Sequence, residues 1–411
     1  MLLQSNGAAY LCNTERNVFA MNDFTYLNPT KIIFGKDTDP QIGKECAAYG
    51  KTLIIYGGGS AERSGLLDRV RKSLDAAGVQ HCEMGGVKPN PRLDFVYKAI
   101  EKIRSEDIKL ILAVGGGSVI DTAKAASTGA VYDGDVWDFF MKKASPKGHI
   151  PVGTVLTIPA AGSESSSSSV ITKEETNDKR SLTSDHHYPV FSVLNPVNTF
   201  SLPAYQIACG ASDMLAHLME RYFVNVRSCD VTDRLIEADA QTVIKYAPLT
   251  IAEPENYDYR AEIMWAATVA HNGFLDLGRG EGGRGGDWAS HQIEHQLSAY
   301  YDIAHGAGLA IIFPAWIKFV SRTNPDKIIQ FGRQVFGVNE SDKQQAVNKT
   351  AEVLENFSKS IGMPTRLSEI GIGREKFAEM ADKACACKNY DLGVYVKLTP
   401  ADVEEIYNIA Y

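Results

Sequence analysis

Apolar residues in the first half of the chain fall into short runs that end on glycine, with longer amphipathic stretches between them. Lys31 to Gly35 reads as a short strand. Thr52-Leu53-Ile54-Ile55-Tyr56 is apolar on successive positions, the pattern of a strand covered on both faces, and closes on Gly57-Gly58-Gly59-Ser60. From about Gly65 to Ala77 the apolar positions Leu66, Leu67, Val70 and Leu74 share one helical face. Gly85-Gly86-Val87-Lys88-Pro89-Asn90-Pro91 can only be a loop. A helix is predicted over about 92–104, then the strand Leu110 to Val114, which runs into Gly115-Gly116-Gly117-Ser118 with a helix from about Val119. Val155 to Pro159 and Val190 to Leu194 complete the strands. Strands alternating with helices imply crossovers and a mainly parallel sheet.

Beyond Pro203 the period changes to that of helices throughout. Amphipathic segments are predicted over about 204–223, 230–246, 258–275, 287–300, 306–320, 325–335, 342–361, 374–384 and 400–409. The break near Leu194 to Pro203 divides the chain into an α/β domain over about 21–198 and an all-helical domain over about 199–411. Residues 1–20 carry neither pattern and read as a disordered extension, not a signal peptide. No internal repeat is visible, and the Ser165 to Ser169 tract is too short for a linker.

The 411 residues, 44% hydrophobic and 22% charged, suffice for two cores. A net charge of −8 argues against nucleic acid or an anionic membrane as partner, and no apolar run reaches the length of a span. Seven cysteines match neither a disulfide framework nor a paired zinc motif. They are expected to be free thiols in a reducing cytoplasm.

Chemistry concentrates in the helical half. His291 and His295 are four apart, so on a helix they share a face roughly 6 Å apart, and His305 follows with Gly306 and Gly308 beside it. Asp213 and His217 form a second i, i+4 pair. Two such pairs and a fifth donor are what a nitrogen–oxygen site for a divalent transition metal needs, although spacing alone does not say which of His291 and His295 is a ligand. In the α/β half, strand–glycine–helix at Gly115 to Ser118 is a phosphate-receiving arrangement, since glycine permits close approach and the helix start offers free N–H groups. A tight turn would have the same glycines. The Gly57 to Ser60 turn lacks the Asp that would repel a 2′-phosphate, and Arg63 stands close, which favours NADP over NAD.

With these motifs together, the chain resembles the iron-containing (group III) alcohol dehydrogenases, most closely the NADPH-dependent butanol dehydrogenase and aldehyde reductase branch. The likeness covers about 22–410 and rests on Asn28 to Gly35, Pro89-Asn90-Pro91, Gly115 to Asp121, Gly162-Ser163-Glu164, Asp213 with His217, and His291, His295 and His305. It implies a Rossmann-like α/β domain for the dinucleotide, an all-helical metal domain, and an active site in the cleft between them. It also implies that Asp213, His217, His291 and His305 are the metal ligands and that His295 faces the nicotinamide as the catalytic proton relay. Gly116, Gly117 and Ser118 would cradle the pyrophosphate, with Asp121 next to them. Thr157 would lie beside the adenine and ribose, Lys179 at the nicotinamide ribose, and Gly58 and Ser60 at the 2′-phosphate. His81, His149, His186, His187 and His271 match no motif and read as structural.

The chemistry so implied is hydride transfer between NADP(H), with NAD(H) as the alternative, and a short- to medium-chain alcohol or aldehyde. A divalent metal serves as Lewis acid, Fe²⁺ by the family name, with Zn²⁺ favoured at least as well by such ligands. An imidazole titrates near working pH, which suits His295 to a proton relay. A homodimer in the cytoplasm is expected. The rival readings are a dehydroquinate synthase-like or glycerol dehydrogenase-like enzyme on the same fold, and a cofactor-binding protein that has lost catalysis.

Overall fold

The computed structural model describes residues 20–226, 228–280 and 285–411. The extension expected to be disordered lies outside them, Ala20 excepted. The strands of the first half are β1 (Lys31–Phe34), β2 (Thr52–Tyr56), β3 (His81–Met84), β4 (Leu110–Gly115), β5 (Val152–Leu156), β6 (Ser168–Lys173), β7 (Asp178–Thr183) and β8 (Phe191–Leu194). Six of them form one all-parallel sheet in the order β1-β8-β5-β4-β2-β3. The helices among them are α1 (Gln41–Ala47), α2 (Ser60–Arg63), α3 (Leu66–Ala76), α4 (Leu93–Ser105), α5 (Gly117–Gly129) and α6 (Trp137–Phe140).

The near-continuous apolar runs have their physical reason here. Leu53, Ile55, Ile111 and Ala113 pack on one face with α4 and α5, while Ile54, Leu110, Leu112 and Val114 pack on the other with α1 and α3. A strand covered on both sides has no polar face to alternate with. Each such Leu or Ile contributes about 1.5–3 kcal/mol by burial.

Three strands were not legible in the pattern. Edge strand β3 is only half-buried along its length and has no apolar run. The antiparallel hairpin β6–β7 is rich in serine, lysine and threonine and packs through β6 on α5 and through β7 on the helix of residues 289–301. The segment predicted as a strand over 155–159 begins and ends three residues earlier, which leaves Thr157 just beyond the sheet.

The second half is helical: α7 (Ala204–Tyr222), α8 (Asp230–Ala252), α9 (Tyr257–His271), α10 (Ala289–Tyr301), α11 (His305–Val320), α12 (Asp326–Phe336), α13 (Lys343–Ser360), α14 (Phe377–Ala386) and α15 (Pro400–Ala410). Its core is a single cluster that takes in residues of all of these helices, with α7 buried from Ile207 to Tyr222. No described helix is long and apolar enough to cross a membrane.

The halves are tied across their junction. Asn90, at φ +50°, donates from Nδ2 to Asp302 Oδ1 (2.9 Å) and to the Ile303 carbonyl (3.2 Å), and Arg92 Nη2 pairs with Asp302 Oδ1 at 2.7 Å. The Pro-Asn-Pro loop therefore clamps the turn between α10 and α11.

Candidate metal centre and cofactor cleft

The middle of α7 and the starts of α10 and α11 converge on one carboxylate. Asp213 and His217 lie one turn apart on α7, and the Asp213 Oδ1–His217 Nε2 distance is 3.3 Å. His291, on the first turns of α10, and His305, the first residue of α11, each bring Nε2 to 3.8 Å from the same oxygen. The tight turn through Asp302, at φ +51°, folds α11 back so that His305 faces His291. Gly306 makes that approach possible: a Cβ there would lie 2.0 Å from the Cys209 carbonyl oxygen on α7. Only at a glycine can the backbone come so close.

Each ring is held from behind. Glu220, fully buried on α7, accepts from His291 Nδ1 (3.0 Å), the His291 amide (3.1 Å), Ser290 Oγ (2.5 Å) and the Trp288 amide (2.6 Å). Glu294, equally buried, pairs with His305 Nδ1 and accepts from Ser298 Oγ at 2.5 Å. With Nδ1–H given to a carboxylate, His291 and His305 turn Nε2 toward Asp213. Neither glutamate stood out in the sequence, although each sits three residues after a histidine singled out there, Glu220 after His217 and Glu294 after His291.

The electrostatics fit a cation. Burial opposes ionisation of Asp213, yet the surrounding imidazoles hold its carboxyl well below the usual range. Burial also opposes charge on His291, but Asp213 and Glu220 outweigh it and push the ring up to about 9. His217 is pushed down to about 4, by burial first, with Asp213 opposing. Asp213 Oδ1 and His291 Nε2 are sealed from solvent with no hydrogen-bond partner, a costly arrangement unless a cation satisfies both. The donor atoms of Asp213, His291 and His305 lie within 4.8 Å of one another, as do those of Glu294, His295 and His305. His217 joins through Asp213. His295 lies on the far side of His305, with ring centroids 5.4 Å apart.

All the residues expected to hold the metal or the cofactor, and His295, line one cleft of about 1030 Å³. That is the top of the range usual for small-molecule sites and leaves room for an extended cofactor plus a small substrate. The glycine turn Gly115-Gly116-Gly117 and Ser118 stand where β4 meets α5. A Cβ on Gly116 would lie 2.8 Å from Ile158 Cβ, so glycine lets the turn pack closely on the segment after β5 while the start of α5 borders the cleft, the end of a helix that suits an anion. Gly58 and Ser60 line the outer end and Thr157 the wall beside β5. Glu62 turns away from them onto Arg71, at 3.0 and 2.9 Å.

Asp121 also borders the cleft, but its oxygens are taken by Ser163 Oγ (2.6 Å) and the Val170 amide (2.9 Å), so it anchors the serine segment and the hairpin. Beneath it, buried Lys124 donates to the carbonyls of Ser163, Ser166 and Ser168 and to Ser163 Oγ at 2.6–2.9 Å. The serine tract is thus a loop wrapped on an ammonium group. Lys179, on β7, donates to Asn90 Oδ1 at 3.0 Å and lies 3.9 Å from Glu294 Oε2. The missed hairpin is what carries this lysine to the metal helices.

The chain is similar to known proteins over most of its length. Residues 29–196 match the family described as iron-containing alcohol dehydrogenase, and residues 207–411 its C-terminal domain. The chain belongs to the iron-containing alcohol dehydrogenase family. It is 44% identical over 389 residues to the probable NADH-dependent butanol dehydrogenase 1 of Bacillus subtilis, covering 94% of this chain and 99% of that one. It is 36% identical over 355 residues to the NADPH-dependent aldehyde reductase YqhD of Escherichia coli, covering 86% and 90%. The crystal structure of NADH-dependent butanol dehydrogenase A from Thermotoga maritima superposes with a TM-score of 0.91 at 41% identity, covering 95% of this chain and 99% of that one.

Two expectations need correcting inside this family frame. His295 does not titrate near working pH in this structure: burial, with Lys179, His305 and His291 adding to it, holds the ring well below the usual range, so it is neutral. His271, read as structural, borders the cleft at the end of α9, its ring centroid 4.2 Å from that of His217. It has no histidine or carboxylate three or four residues away, so helical spacing gave no signal. Of the remaining unmatched histidines, His187 is fully buried and His149 pairs with His186, Nδ1 to Nδ1 at 3.0 Å. Residues 281–284 of the long glycine- and arginine-rich loop lie outside the described residues.

Proposed function

We propose that the protein is a metal-dependent alcohol dehydrogenase and aldehyde reductase that moves hydride between NADP(H) and a short- to medium-chain primary alcohol or aldehyde. The observation that carries this reading is Asp213 Oδ1 ringed by three imidazole Nε2 atoms in the same cleft as the Gly115 to Ser118 turn. Asp213, His217, His291 and His305 would hold one divalent metal, ferrous iron by family and zinc by donor chemistry. When bound, the metal supplies Lewis acidity toward the substrate oxygen and the nicotinamide supplies hydride chemistry.

The protein's own groups do the rest. Glu220 and Glu294 fix the tautomers of His291 and His305. Gly116, Gly117 and Ser118 receive the pyrophosphate. Lys179, its charge held in check by burial and partly restored by Glu294, Asp213 and Asp121, donates to the nicotinamide ribose. His295, neutral at rest, would take up the substrate proton on its free ring nitrogen, carry the charge as imidazolium for that step, and release the proton through the cleft. The domain boundary near 198 then places cofactor groups on one side of the cleft and metal ligands on the other. Two copies of the chain in the cytoplasm are the expected assembly.

Preference for NADPH is supported by the Gly57 to Ser60 turn. It presents no carboxylate, since Glu62 is bound to Arg71, and Arg63 Nη1 lies 3.3 Å from where a Gly59 Cβ would stand. Named relatives carry both cofactor names, so this turn is the ground of the proposal. A dehydroquinate synthase-like activity fits less well, because it needs free cations around a phosphorylated, polyhydroxy acid. The arginine nearest the metal residues, Arg221, is wholly engaged by protein groups. Loss of catalysis fits less well too, because the donors and their supporting carboxylates are all present.

The test is a steady-state panel of C2 to C8 aldehydes with NADPH and NADH on protein of measured metal content. Turnover with a higher kcat/KM for NADPH is expected. Protein holding one metal per chain that reduces no aldehyde would overturn the activity, and a preference for NADH would overturn the cofactor assignment alone.

A further inference from the structure

The five imidazoles of the site form a row. Ring centroids run His271 to His217 at 4.2 Å, His217 to His291 at 4.7 Å, His291 to His305 at 5.4 Å and His305 to His295 at 5.4 Å. Lys179 and His295 occupy one end. His271 occupies the other, where Arg221, Asp276 and Trp288 also border the cleft.

Arg221 sets the protonation of His271. Its Nε pairs with Asp276, its Nη1 donates to the His217 carbonyl at 2.9 Å, and its Nη2 meets His271 Nδ1 at 2.8 Å. Trp288 packs across the guanidinium, 4.8 Å from ring centre to Cζ. A guanidinium has donors only, so His271 Nδ1 accepts and the ring proton sits on Nε2. Among the described residues Nε2 bonds to no protein group, and it is not among the atoms sealed from solvent. A neutral N–H donor therefore opens into the cleft beside the metal ligand His217. The charge behind it is already cancelled, because Arg221 is paired with Asp276. This end of the cleft is equipped for an uncharged oxygen and not for a carboxylate or phosphate.

We propose that His271 is a specificity-determining residue that donates a hydrogen bond from Nε2 to a second, uncharged oxygen of the substrate, so that short diols and hydroxyaldehydes are preferred to their plain alkyl counterparts. This rests on the dehydrogenase reading above and names its substrate class. A site built to bond a substrate hydroxyl discriminates against the analogue that lacks it, because the donor is then left without a partner.

The experiment compares kcat/KM for 1,3-propanediol against 1-propanol, and 1,4-butanediol against 1-butanol, in the metal-loaded wild type, His271→Leu and His271→Gln. The wild type favours each diol on the order of 10-fold or more beyond the statistical factor of two for its equivalent ends. His271→Leu loses that ratio by a similar factor, the diol losing more kcat/KM than the plain alcohol, while one metal per chain is retained. His271→Gln keeps the ratio, because its amide oxygen can accept from Arg221 while its NH₂ donates. A wild type with no diol advantage, or a His271→Leu enzyme that retains it, overturns the proposal. Should His271→Leu not fold, the wild-type ratio and the Gln variant decide. A wild type that oxidises no alcohol at all overturns the dehydrogenase reading, and this proposal with it; oxidation of 1-propanol without diol preference overturns this proposal alone.

Discussion

Replacing Glu220 by Gln removes one charge from behind the metal residues and changes almost no volume. In the native arrangement Glu220 Oε1 accepts from Ser290 Oγ, the His291 amide and His291 Nδ1, while Oε2 accepts from the Trp288 amide. An amide can keep only one of these oxygens. With Oε1 retained, the NH₂ group faces the Trp288 N–H, so one buried hydrogen bond is lost and two donors confront each other, at a cost of about 1–3 kcal/mol to the metal-free fold. The larger effect is on the metal. His291 Nδ1–H would donate to a neutral oxygen, the imidazole becomes less basic, and its ring is held less firmly. Losing such a supporting carboxylate typically weakens metal binding ~10- to 100-fold, or about 1.4–2.7 kcal/mol. Competition against a chromophoric chelator with zinc or ferrous ion gives the affinity directly, and chemical denaturation gives the cost to the fold. Glu294→Gln should act in the same way through His305. A Glu220→Gln protein that binds metal as tightly as wild type would refute the claim that this carboxylate tunes His291.

Three further outcomes are expected. His295→Ala should keep its metal yet lose rate ~10²- to 10⁴-fold, the range of general acid–base help; metal content and kcat on one preparation check it, and loss of metal would make His295 a ligand. Gly58→Asp fits sterically, since no atom lies within 4 Å of the added Cβ, and should shift the kcat/KM ratio toward NADH by placing a carboxylate against the 2′-phosphate; an unchanged ratio would move the 2′-phosphate elsewhere. Asp239 is raised from 3.8 to about 8 by burial and its Oδ2 has no partner, so ionisation opposes folding. Its protonated native form stabilises below the unfolded pKa, and that stability is lost as pH rises from about 4 through about 8. The gap of about four units caps the effect near 6 kcal/mol, and partial contact with water discounts it to about 1–2 kcal/mol. Asp239→Asn should therefore raise Tm at pH 8 clearly more than at pH 5, and equal shifts at the two pH values would show that Asp239 is not the titrating group.

The sequence alone was enough for the fold class, though not for strand β3 or the β6–β7 hairpin. Strands buried on both faces must be apolar at every position, as in Leu53-Ile54-Ile55 and Leu110-Ile111-Leu112, and helices packed on one side must repeat every three to four residues. Both periods are written locally, so the α/β half, the helical half and the change near Pro203 could be read without a structure. The i, i+4 spacing likewise put Asp213 beside His217 and His291 beside His295 before any coordinates. What lies between those pairs is long-range and leaves no periodic trace. Gly306 shows its purpose only against the Cys209 carbonyl, which is 97 residues earlier in the chain. The polar hairpin that carries Lys179 sends only Ile171 and Leu182 to the core, and its remaining positions are mostly polar, so it leaves no apolar run to read. Glu220 and Glu294 are ordinary helical glutamates until the fold buries them against imidazole. Whether His271 is a core histidine or faces the cleft, and which of its nitrogens holds the proton, depends on an arginine 50 residues away. Local pattern measures what a residue's own element must bury, and only tertiary packing decides which buried polar groups meet.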